Sequence, residues 1–101
     1  MYHFPESCRQ NVLLALAESG RLAKREEDLP QQRRTEATIR IFKQCYTDAT
    51  LSELGAKPAS VITDALEWAM KSHLVDNKTR LAYETTLIMF REIFKKIRFS
   101  A

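Results

Sequence analysis

Apolar positions return at helical spacing along most of the chain. Val12, Leu13, Leu16, Gly20 and Ala23 recur three and four residues apart behind Pro5, which predicts a first helix over residues 6–27 with one core-facing side. Proline suits the start of such a helix because its missing N–H would have no intrahelical partner there. A second stripe, Ile39, Phe42 and Tyr46 widened by Ile41 and Cys45, predicts a helix from Thr35, although "ATIRIF" also alternates enough to suit a short strand. Between the two lies "RLAKREEDLPQQRR", where mixed charges and Pro30 predict a solvated helix end and a turn at Leu29.

The next stretch, "TLSELGAKPASVITDALEWAMKSHLV", is punctuated like two helices around a corner. Thr50 and Glu53 make a capping box for a short helix, and Gly55 accepts the left-handed backbone that stops it. Pro58 then opens a helix whose apolar face is Ile62, Ala65, Leu66, Ala69 and Met70, with Val61 widening it. His73 stands at its end, where a partly charged imidazole complements the helix dipole.

Beyond Val75 the turn-rich "DNKT" permits two arrangements. Either "HLV" and "RLAY" pair as a small hairpin, or Asp76 caps a long final helix directly. From residue 84 to residue 99 the pattern is helical, continuing a seam at Tyr83, Leu87, Phe90, Phe94 and Ile97 that has the spacing of a helix–helix interface. Leu81, Ile88, Met89 and Ile93 add apolar surface beside it, more than a small domain easily covers, so a homodimer through this last helix is expected. The whole pattern predicts an all-α fold of about five helices with a helix-turn-helix corner and a short two-stranded wing as one option at residues 73–83.

Composition bounds this picture without redrawing it. A chain of 101 residues, 45% hydrophobic and 29% charged, is read as one domain (1–101) that buries a core. Its net charge of +3 permits nucleic acid but does not require it. The first ten residues lack the features of a secretory signal and no run has the length of a membrane span, so a cytoplasmic protein without membrane contact is expected. Cys8 and Cys45 lie on amphipathic helices without paired spacing, which favours buried free thiols over a disulfide.

Candidate chemistry is sparse. His3 and His73 are far apart, no ligand-spaced cluster, Gly-rich phosphate loop or nucleophile elbow occurs, and the expectation is a protein that is not an enzyme and uses no metal or cofactor.

The corner, taken with "ATIRIFKQCYTDA" before it, resembles winged helix-turn-helix transcriptional repressors over residues 37–83: a helix, a Thr-x-x-Glu-Leu helix, a turn, a Ser-Val-Ile-x-x-Ala-Leu helix and a closing Leu-Val. The resemblance implies a dimeric DNA-binding regulator in which the helix after Pro58 enters the major groove and "VDNKTRLAY" forms the wing. By that likeness Thr50 and Ser52 would donate to phosphate, Lys57, Ser60 and Thr63 would face the groove, and Lys78 and Arg80 would neutralise phosphate from the wing. The same outward face carries Asp64 and Glu67, whose sign opposes phosphate. The alternative is a helical interaction protein, such as an adaptor, anti-regulator or assembly factor. It would hold a protein partner through Trp68 and the seam Tyr83, Leu87, Phe90, Phe94 and Ile97.

Overall fold

In a computed structural model, residues 5–44, 54–72 and 76–96 are described, with side chains assigned up to residue 92. They form four helices, and no strand occurs among them: α1 (Glu6–Arg25), α2 (Leu29–Lys43), α3 (Ala56–Lys71) and α4 (Asn77–Lys96). The all-α reading holds. The short helix expected at Thr50, and with it the capping box, Cys45 and Tyr46, falls outside the described residues.

The first helix begins where predicted and ends at Arg25 rather than at residue 27, with Pro5 immediately before it and the Pro5 carbonyl accepting the Arg9 amide at 3.1 Å. Its end is sharper than mixed charges alone suggest. Glu27 adopts left-handed backbone (φ 57), the Asp28 amide reaches the Ala23 carbonyl at 2.8 Å, and the Glu27 amide reaches that of Lys24 at 3.2 Å. This is the paired bonding of a Schellman stop, made here without glycine.

The second helix begins six residues before the predicted Thr35. Pro30 opens it rather than breaking the chain, because Asp28 caps it by accepting the Gln31 amide at 3.2 Å and proline is tolerated in the first turn. "ATIRIF" is helical throughout, which settles the strand alternative. Gly55 has φ 90, the left-handed region that favours glycine, and is the residue from which α3 starts.

A correction concerns the wing. Residues 77–83 are the first two turns of α4, so "RLAY" does not pair as a strand. Asp76 accepts the Thr79 amide at 2.7 Å, and the Arg80 amide donates to the Asp76 carbonyl at 2.9 Å, so the cap satisfies donors that a hairpin would have turned toward a partner strand.

Packing converges on α1 and α3, each of which borders all three other helices. The core holds Val12, Ala15 and Leu16 of α1, Phe42 of α2, Ile62, Ala65 and Leu66 of α3, and Tyr83, Leu87 and Phe90 of α4. Burying each large apolar side chain in this set contributes on the order of 1.5–3 kcal/mol. Three threonines share the interior at little cost. Thr35, Thr38 and Thr86 each donate to the carbonyl one turn back, at 2.8, 2.7 and 2.8 Å. Thr86 also accepts from the Asn11 amide at 3.0 Å, which ties α4 to α1, and beside it the Cys8 thiol lies 3.7 Å from the Met89 sulfur. Cys8 is thus a buried free thiol, as its helix position predicts.

Described side chains of the expected dimer seam are enclosed within the chain itself. Tyr83 is 6% exposed, Leu87 4% and Phe90 0%. The spacing that suggested an interface between copies is that of a helix packed on α1 and α3, and the side chains of Phe94 and Ile97 lie outside the described set.

Candidate interaction surface around Trp68

The outer side of α3 divides by helical geometry into three directions. Ile62, Ala65, Leu66 and Ala69 point inward, Glu67 turns toward α4, and Trp68 turns toward α1. Glu67 is half-buried and ion-paired with Arg91, so the acid expected to face solvent is neutralised across the α3–α4 contact. Trp68, the largest aromatic side chain in the sequence, keeps 37% of its surface exposed.

Two troughs meet at that indole. The larger, about 440 Å³, lies between α1, the end of α3 and α4, and its lining includes Glu18, Arg21, Leu22, Arg25, Trp68 and Tyr83. The smaller, about 210 Å³, lies between α1, the start of α2 and α3, where Glu26, Asp28, Gln31 and Asp64 face Trp68. Leu22 and Trp68 belong to both and form the saddle between them. The positions follow from local structure: the Schellman stop swings Glu26 to Asp28 across the end of α1, and the Asp28 cap then starts α2 beside α3.

Charge differs across the saddle. In the larger trough Glu18 is ion-paired with Arg21, and Arg25 has no carboxylate partner among the described residues. The smaller trough contains three carboxylates and no lysine or arginine among its described lining. Burial, followed by the negative charge of Glu18, pushes the Tyr83 phenol above its ordinary value.

The described residues expected to contact DNA are divided between α3 and α4. Thr50 and Ser52 are outside the described residues. Lys57 and Ser60 are exposed in the first half of α3, while Thr63 is half-buried with its hydroxyl donating to the Ser60 carbonyl at 3.0 Å. Lys78 and Arg80 are exposed in the first turn of α4, where residues two apart point to different sides of a helix. Of the expected partner-contact residues, Trp68 is the one that is both described and accessible.

Sequence reasoning did not reach Glu18, Arg21, Leu22 and Arg25. A signal existed in Leu22, an apolar residue beside the core stripe with arginines at positions 21 and 25, but what it faces depends on a crossing some forty residues away in the chain. No helix among the described residues is long and apolar enough to cross a membrane. No protein-family model, curated protein or solved structure matches the chain.

Proposed function

We propose that the chain is a non-enzymatic helical interaction module that holds a protein partner against the Leu22–Trp68 saddle. The observation that carries this reading is the placement of Trp68: an indole left over one-third exposed at the junction of two troughs, on a helix whose other large apolar residues are buried or half-buried. Tryptophan is among the residues enriched at interface hot spots, because it offers a large rigid area at low entropic cost.

A peptide-display selection on the full chain, with Trp68→Ala as the counter-target, tests it. Binders that require Trp68 are expected; a selection yielding none that distinguishes the two proteins overturns the reading.

Duplex DNA is the second reading, supported by the exposed Arg33, Arg34, Arg40 and Lys43 of α2, which face only Glu36 as an acid on that helix. It has lost the wing that would have set Lys78 and Arg80 beside the backbone. Retardation of DNA that falls steeply with salt, with a shallower slope in Lys78→Ala/Arg80→Ala, would favour it. Self-association as a homodimer would draw on the outward-facing Leu81 and Ile88, 60% and 55% exposed and two turns apart on α4.

A further inference from the structure

We infer that the partner segment is polarised, with a carboxylate on one side of an apolar anchor and a cationic side chain on the other. The inference rests on the reading of the Leu22–Trp68 saddle as an interaction surface and adds the chemistry of what docks there.

Charge complementarity selects the occupant. On one side of Trp68 the Arg25 guanidinium lines a trough whose only acid among the described residues, Glu18, is already ion-paired with Arg21. Arg25 therefore offers a planar fork of donors suited to a carboxylate. On the other side Glu26, Asp28 and Asp64 line a trough with no cation in its described wall. Asp28 is partly engaged by the Gln31 amide, whereas no hydrogen bond or ion pair to Glu26 or Asp64 side chains occurs among the described residues. A lysine or arginine entering there meets those carboxylates and the face of the indole together, which adds a cation–π attraction.

The bland account of these charges covers only part of them. Arg25 ends α1 and Asp28 begins α2, where the helix dipoles favour those signs. Asp64 lies in the middle of α3, where no dipole explains it, and Trp68 one turn later is exposed between the opposite charges. An extended or helical protein segment can place an acid, an apolar residue and a base across the saddle at once. A single small ion occupies one trough and leaves the other and the indole unused.

The selection against Trp68→Ala separates the two levels of the argument. Among Trp68-dependent peptides, an apolar residue flanked by Asp or Glu on one side and Lys or Arg on the other is expected. Arg25→Glu and Asp64→Lys, both at exposed positions and checked for unchanged helical circular dichroism, should each weaken those peptides about five- to tenfold, the range of a lost surface ion pair plus a new repulsion. A peptide with its two charges exchanged should regain affinity for the Arg25→Glu/Asp64→Lys double variant. Trp68-dependent peptides without charge bias, or affinities indifferent to both reversals, overturn the polarity and leave the interaction reading standing. The absence of any Trp68-dependent peptide overturns the interaction reading itself, and the polarity with it.

Discussion

The carboxylate of Asp76 accepts the backbone amide of Thr79 at 2.7 Å, and this contact starts α4. The Thr79 amide and hydroxyl, with Lys78 nearby, hold the Asp76 carboxyl below the usual carboxylate range. A group whose pKa is depressed by folding stabilises the fold above its unfolded value and loses that contribution as pH falls through the folded one. Asp76→Ala should therefore lower the thermal midpoint at neutral pH and flatten its decline in acid. Asp76→Asn should retain most of the cap with a weaker pH dependence, as followed by circular dichroism across the acid range.

The left-handed backbone at Glu27 is a site of built-in cost. A residue with a Cβ gives up about 1 kcal/mol there relative to glycine. Glu27→Gly should raise stability by roughly that amount or slightly less, since glycine also loosens the unfolded chain. Urea denaturation with an unchanged slope would verify it; a loss of stability would mean that the Glu27 side chain makes a contribution larger than its strain.

Asn11 and Thr86 form a polar tie between α1 and α4, and Thr86 is fully buried. Thr86→Val keeps the shape but leaves the Asn11 amide without its acceptor, which should cost about 1–3 kcal/mol. Combining it with Asn11→Leu should restore part of the loss, and a double-mutant cycle measures the coupling. Additive effects would argue that the bond contributes little.

Phe90 and Ile88 are neighbours on α4 with opposite roles, 0% and 55% exposed. Phe90→Ala should cost about 3–5 kcal/mol by opening a core cavity, and so unfold the chain rather than merely separate copies of it. Ile88→Asp should leave stability within about 0.5 kcal/mol. If light scattering shows a dimer, Ile88→Asp should dissociate it; a folded monomer from Phe90→Ala would contradict the burial of that ring.

Much of the fold was legible in short-range pattern. The core faces of α1 and α3 follow from Val12, Leu16, Ile62 and Leu66 at helical spacing, because a stripe of that period has few other uses. The start of α2 was misread because Pro30 signals both a break and a first turn, and Asp28 three residues before Gln31 was the cue that decided between them. At residues 76–83 the same ambiguity held between hairpin and cap, and the Asp76 side chain resolved it. The seam of α4 shows the limit of periodicity: it reports that a face is covered, not whether this chain or another covers it. The surroundings of Trp68 were out of reach for a related reason, since Leu22 and Arg25 meet it only through a crossing of distant helices.

The contact between α1 and α4 carries a kinetic consequence. Its ties join residues 75 and 81 positions apart, Asn11 to Thr86 and Cys8 to Met89, whereas α3 and α4 are sequence neighbours joined by Glu67 and Arg91. Loop closure over such a span is slow, so the neighbouring pairs α1–α2 and α3–α4 can associate early while the α1–α4 contact forms later. Until α4 docks, the side of α1 that carries Cys8 and Asn11 stays open to solvent or to a chaperone, while α2 and α3 cover its other sides.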